Sequence, residues 1–157
     1  MIMEIIALTV RESTIEDAKN IWVIRNNPLV RMFSGNHSKI GYERHCLWYK
    51  KQYFESKKNH CFVLEHDHKV IGYCRFDLIK SKIETSLAID PRYHGKGYGS
   101  HLLALSLRHL KPKKIVFAEV LRDNIASVEV FKKNNFTICK VEKDTLYLEY
   151  THDKVRP

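Results

Sequence analysis

Residues 90–103 read DPRYHGKGYGSHLL, and this stretch restricts the fold more than any other. Three of the chain's six glycines, Gly95, Gly97 and Gly99, fall within five residues. The preceding KIETSLAID alternates apolar and polar residues as a strand does, and the following leucines keep helical spacing to about Leu110. A strand that passes through glycines into a helix leaves unpaired backbone N–H groups at the helix N-terminus. These favour an anion, and the missing Cβ atoms let a phosphate come close to the backbone. The spacing is not that of a Walker loop, GxxxxGK[ST], nor of the dinucleotide pattern GxGxxG, because Ser100 follows Gly99.

The other elements fall on both sides of this loop. ALTVR, residues 7–11, reads as a strand, and the apolar opening MIMEIIALTV lacks the basic start and small-residue cleavage site of a signal peptide. Ser13 or Thr14 caps a helix on which Ala18, Ile21, Trp22 and Arg25 share a face, with Pro28 after its end. A loop through Ser34, Gly35 and Asn36 leads to a helix over about 41–56, with Tyr42, Cys46, Tyr49 and Tyr53 on one face. CFVLEH and KVIGYCRFDL flank His66-Asp67-His68 as a hairpin. After the glycine loop and its helix, KIVFAEVL reads as a strand buried on both faces, NIASVEVFKKNN as a helix capped by Asn124, and FTICKVEK and TLYLEY as two final strands. The order predicts one α/β domain over 1–157, built on a central mixed sheet.

Composition narrows the partners. The net charge of +9 suits nucleic acid, an anionic membrane or a phosphate-bearing small ligand. Lys and Arg are spread along the chain, KPKK at 111–114 being the densest cluster, and no apolar run reaches the ~20 residues of a membrane span. Charge alone leaves a small anionic ligand and a plain solvated basic surface both open, and with no dense basic arm and no apolar span we expect no nucleic acid and no membrane partner. Cys46, Cys61, Cys74 and Cys139 have no CxxC spacing and read as free thiols in the cytoplasm. His66 and His68 lack a third ligand and read as a polar hairpin tip, so no metal is expected.

His94-Gly95-Lys96-Gly97-Tyr98-Gly99, followed by Ser100, Leu102 and Leu103, resembles the acyl-CoA pyrophosphate loop of the GNAT N-acetyltransferase superfamily. His94 stands where that loop usually carries Arg or Gln. Asn124, Ser127 and Phe131 resemble the superfamily's Asn-x-x-[Ala/Ser]-x-x-x-[Tyr/Phe] helix, and Asn135-Phe136 its Gly-Phe ending. The likeness runs from Val10 to about Tyr150. It implies a GNAT fold, a twisted mixed sheet of about seven strands with about four helices. The acceptor-shaping half would be about 1–80 and the acetyl-CoA half about 81–150. Arg25-Asn26-x-Pro28, Arg31, Ser34, His45, Trp48 and Gly72-Tyr73-x-Arg75-x-Asp77 resemble, more narrowly, the acetyltransferases of pseudaminic acid biosynthesis. Those act on the 4-amino group of a UDP-linked amino-dideoxy sugar. A branch acetylating protein N-termini shares part of the pattern, so that acceptor stays open. A non-catalytic CoA-binding module and a homodimer stay open too.

The resemblance assigns roles. Acetyl-CoA would be held by His94 to Ser100, by Asn124, Ser127, Phe131 and Lys133, with Lys132 beside it, and by the backbone of Leu87 and Ile89, whose N–H groups would polarise the acetyl carbonyl. Arg25, Arg31 and Arg75 would bind the acceptor's diphosphate, Trp48 would stack on a ring, and His45 would join them. Glu119, in the apolar FAEVL, is expected to be buried and to act as general base, with Glu84 and His45 as lesser candidates. Phe131 cannot protonate the departing thiolate, so another tyrosine, water or unassisted loss must serve.

Overall fold

The computed structural model describes residues 7–152, so the opening of the MIMEIIALTV strand lies outside the described residues. Seven strands form one sheet in the order β1-β2-β3-β4-β5-β7-β6. They are β1 (Leu8–Glu12), β2 (His60–His66), β3 (Lys69–Ile79), β4 (Lys82–Ile89), β5 (Val116–Leu121), β6 (Phe136–Glu142) and β7 (Thr145–Tyr150). All neighbours are antiparallel except β4 and β5.

Two layers of helices cover the sheet. One face packs on α4 (Tyr98–Leu110) and α5 (Ile125–Lys133), burying Leu102, Leu103, Leu107, Val128 and Phe131 against Leu64, Phe76, Ala118 and Leu148. The other packs on α1 (Ala18–Asn26) and α3 (Tyr42–Lys50), which bury Ile21, Ile24 and Tyr49 against Cys61, Val63, Val70 and Tyr73. A short α2 (Pro28–Met32), absent from the sequence-based reading, follows α1 directly. Pro28 sits in its first turn, where a missing N–H costs nothing, and the Asn27 side chain accepts the Leu29 N–H.

Several local expectations hold. Asp67 and His68 both adopt positive φ in a two-residue turn matching the twist of the β2–β3 hairpin. Asn135 takes φ 68, the left-handed value its place after α5 suggests. Thr14 precedes α1, and its N–H bonds the Asp17 carboxylate at 2.7 Å. Arg11 grips that carboxylate with both terminal nitrogens, at 2.8 and 2.9 Å, and bonds Glu65 through Nε, joining β1 and β2 to the start of α1. Burial alone would push Asp17 up. The bonds from Arg11 and Thr14 more than offset this and hold it below its ordinary value.

Two helical faces turn away from the expected direction. On α1 the buried side chains are Ala18, Ile21 and Ile24, leaving Trp22 half-buried over Ile40, whose carbonyl accepts its indole N–H. On α3 His45 and Tyr49 are buried while Tyr42, its first residue, is exposed and packs edge-on to Trp22 at 5.2 Å, and after Lys50 the chain continues as a wider π-turn to Glu55.

Gly72 marks a tight contact that sets the end of β4. A methyl there would lie 2.5 Å from Ile89 Cδ1 and 3.0 Å from the Ala88 carbonyl oxygen. We predict that Gly72→Ala lowers the free energy of unfolding by about 1–3 kcal/mol, the usual cost of overpacking, measured by urea denaturation.

Candidate active site

The site begins where β4 leaves β5. The two pair only at Ile83↔Val116 and Glu84↔Phe117. Beyond those rungs Thr85–Ile89 keeps its β3 partners but has no partner on the β5 side, while β5 continues alongside β7. The Ile83 N–H bonds the Ile115 carbonyl, and the Asp90 N–H bonds Ile71 on β3. Alternate residues of a strand turn their backbone groups to the same side, so the N–H groups of Leu87 and Ile89 face the opening. The Ile89 carbonyl is taken by His94 Nε2 at 2.8 Å, which makes that nitrogen the donor and links the opening to the loop that follows.

That loop leads into the thirteen-residue α4, with Gly97 at its N-cap. Gly95 and Gly97 have φ 77 and 79, and neither has an atom within 4 Å of where a Cβ would stand. The loop is thus a bare backbone concavity at a helix N-terminus, which fits a pyrophosphate. Tyr98 is half-buried near His66 and Tyr93, and the Lys96 ammonium lies 5.8 Å over the Tyr93 ring. Ser100 accepts a bond from Asn134 at 3.1 Å, fastening α5 to α4. Asn124 caps α5 by accepting the Ser127 N–H at 3.3 Å, and Lys132 and Lys133 lie exposed in its last turn. Phe131 is in the core, edge-on to Phe136 at 5.0 Å.

On the opposite face, three elements bring together residues far apart in the chain. The Arg25 guanidinium of α1 lies 4.4 Å from the Trp48 ring of α3, and that of Arg75 on β3 lies 5.3 Å from the same ring. The indole therefore carries two cations, which leaves it a support for guanidinium groups rather than an open stacking platform. Arg75 Nε donates to Ser86 Oγ at 3.2 Å, and Nη1 is 3.5 Å from Asp77, which also accepts the Tyr53 hydroxyl at 2.7 Å. Arg25 has no such partner: among the described residues its guanidinium makes no hydrogen bond or ion pair. Burial, followed by the nearby Arg75 charge, lowers its pKa. Two half-buried like charges with one carboxylate between them leave a surplus of positive charge, a condition that an anionic ligand relieves.

His45 and Arg31 stand apart from this wall. His45 is fully buried, and burial lowers its pKa to about 4, so the ring is neutral and donates through Nε2 to the Ala18 carbonyl at 2.9 Å. It supports Trp48 from behind, with ring centroids 5.7 Å apart. Arg31 bonds the Asn26 and His37 carbonyls and so ties down the loop after α2.

The expected burial of Glu119 is overturned: its side chain is exposed on an otherwise buried strand. Its neighbours Phe117 and Tyr147 show why. Val116, Ala118 and Val120 face α4 and α5, so Phe117 and Glu119 turn to the other face, where the α1 and α3 core takes in no β5 residue and Tyr147 stands opposite Glu119 on β7. Glu84, at the last shared rung, is half-buried, and burial followed by the Glu119 charge raises its pKa. The Arg75–Asp77–Tyr53 brace was missed in the sequence. The period of two along β3 places Tyr73, Arg75 and Asp77 on one face and is the signal for it.

The Acetyltransferase (GNAT) family matches residues 26–136. The chain belongs to that family. It is an acetyl-CoA-dependent N-acetyltransferase. The chain is similar to the acetyltransferase PseH of Campylobacter jejuni subsp. jejuni serotype O:23/36 (strain 81-176), 26% identical over 136 residues and covering 85% of each chain. PseH of the serotype O:2 strain (ATCC 700819 / NCTC 11168) is 27% identical over 147 residues, 90% of this chain and 92% of the relative. Among solved structures, the fold resembles the acetyltransferase yncA of Salmonella typhimurium, solved with its cofactor acetyl-CoA. The TM-score is 0.77 at 20% identity, covering 96% of this chain and 98% of that one. Ribosomal-protein-alanine N-acetyltransferase from Brucella melitensis gives a TM-score of 0.78 at 18% identity, covering 90% and 98%. Among the described residues no group of three or more His, Cys, Asp or Glu is placed to hold a metal ion, and no helix is long and apolar enough to cross a membrane.

We predict that Gly97→Val abolishes acetyl-CoA binding in a folded protein. The branched Cβ fills the concavity and is strained at φ 79. Calorimetric titration of the variant, with circular dichroism to check the fold, tests this.

Proposed function

We propose that the chain acetylates the amine of an anionic small molecule, and that this acceptor is a nucleotide-diphosphate amino sugar carrying a primary amine on the sugar ring. The observation that carries the reading is the unpaired, half-buried Arg25 guanidinium beside Arg75 on a shared indole. A forked guanidinium pair matches phosphate oxygens in geometry and charge, and the site sits on the sheet face toward which β4 opens. The PseH relatives and the acceptor-side motif support the same reading. It puts the protein in the cytoplasm, where nucleotide sugars and acetyl-CoA are both available.

In this reading the N–H groups of Leu87 and Ile89 polarise the acetyl carbonyl, and Glu119 receives the proton that the attacking amine gives up. Because Glu119 is exposed, it meets solvent and can discharge that proton directly.

Arg25→Ala and Arg75→Ala are expected to raise the acceptor's KM and leave that for acetyl-CoA nearly unchanged. Losing one charged hydrogen bond costs roughly 1.5–3 kcal/mol, on the order of 10- to 100-fold. Arg→Lys should recover only part of this, since an ammonium lacks the fork. Steady-state kinetics with a UDP-4-amino-4,6-dideoxy sugar and with a short N-terminal peptide checks both the residues and the acceptor. Faster acetylation of the peptide would overturn the sugar assignment and favour the protein N-terminal reading.

Glu119→Gln should lower kcat at neutral pH by about 10²-fold or more while acetyl-CoA affinity holds, measured by thiol release and calorimetry.

A further inference from the structure

The carboxylate at the apex of the β4–β5 separation has no role in the reading above. Glu84 is the last β4 residue with a partner on β5. It shares a sheet face with Ser86, whose hydroxyl accepts from Arg75, and it precedes the unpaired Leu87–Ile89 backbone by three residues. Among the described residues its side chain makes no hydrogen bond and no ion pair. The charged and titratable groups around it are Asp77 and Arg75 on β3 and Glu119 on β5, with Tyr147 beyond Glu119 on β7. Lys82, on its own strand, is engaged with Glu149 at 3.2 Å.

We propose that Glu84 is the inner member of a two-carboxylate proton exit, taking the proton from the attacking amine and passing it to Glu119. The two carboxylates differ in the way such a path requires. Glu84 is half-buried beside the opening, and Glu119 is exposed at the next position outward. Burial, then the Glu119 charge, raises the proton affinity of Glu84, which suits a group that must accept from an ammonium near neutral pH. This proposal rests on the amine-acetylating function argued above. The protons and electrons balance as follows. The ammonium gives one proton to Glu84, and the freed lone pair forms the C–N bond to the acetyl carbonyl. The C–S bond breaks with its electron pair on sulfur. The second nitrogen proton goes to that thiolate, and the proton on Glu84 leaves through Glu119 to water. The thiolate is thus protonated without a donor at position 131.

The test compares Glu84→Gln, Glu119→Gln and the double variant of the full chain, with UDP-4-amino-4,6-dideoxy sugar and a panel of simple amines as acceptors. Glu84→Gln should lower kcat at pH 7 by about 10²-fold or more. Its rate should climb with pH, as the ammonium comes to lose its proton in bulk water, beyond the point where the wild type levels off. Calorimetry should show acetyl-CoA affinity unchanged, and Glu84→Asp should recover part of the rate. The double variant should lose no more than the worse single, as groups on one path do. A loss below about threefold with an unchanged pH profile, or losses that multiply in the double variant, would overturn the proposal. A second readout needs no acceptor: carbon-detected titration of the Glu84 carboxyl should give a midpoint above the ordinary glutamate value that falls in Glu119→Gln. An ordinary midpoint overturns the proposal by itself. A wild type that acetylates no amine overturns the function argued above, and the titration then still decides whether the two carboxylates share a proton.

Discussion

Everything at the site depends on the two-rung pairing of β4 with β5. A parallel pair inside a sheet ordinarily continues along both strands, because an unpaired buried N–H or C=O is costly. Here β4 keeps β3, β5 keeps β7, and the edges facing each other are released. One consequence is a set of N–H groups with no partner in the sheet, turned toward the opening between the two strands. Another is the direction of the chain leaving Ile89, which His94 holds and which brings Gly95 and Gly97 to the start of α4.

The face that carries Arg25 and Arg75 follows a different constraint, the placement of charge near a core. Arg75 is held on three sides, by Ser86, Asp77 and the Trp48 ring. Asp77 is itself bonded to the Tyr53 hydroxyl. Arg25 has only the indole. A guanidinium desolvated without a counter-charge costs stability, and retaining it makes sense where a ligand supplies the missing charge. His45, neutral and buried, contributes by fixing the indole that carries both cations. The two faces meet at Ser86, which belongs to the separating strand and bonds the braced arginine.

The order of elements was legible in the sequence. Alternation in residues 60–89, the turn at Asp67-His68, the glycine loop and the left-handed Asn135 all reflect local preferences that the tertiary structure leaves intact. The backbone of the glycine loop was legible for the same reason: φ 77 and 79 are values that only glycine takes readily, so the requirement is written into residue types. Helix faces were less so. Tyr42 has the spacing of a core residue yet is exposed, because at the first turn of α3 it meets only the half-buried Trp22, 5.2 Å away. The short α2 carries no buried residue, and so no apolar period that would reveal it.

What the sequence by itself determined is the set of conformations with local causes: strands, helices, turns and a bare-backbone anion cradle before α4. What only the tertiary structure decided is which side chains share an environment. Glu119 lies among apolar neighbours in the chain, and its strand read as buried. It turns instead to the face that the α1 and α3 core leaves uncovered over β5 and is exposed, while Glu84 at the last shared rung is half-buried. Trp48, Arg25 and Arg75 are separated by more than twenty residues each, and no local rule says that two guanidinium groups will meet one indole. Burial and charge proximity are properties of packing between distant segments, and they set the acidities and free charges on which the chemistry depends.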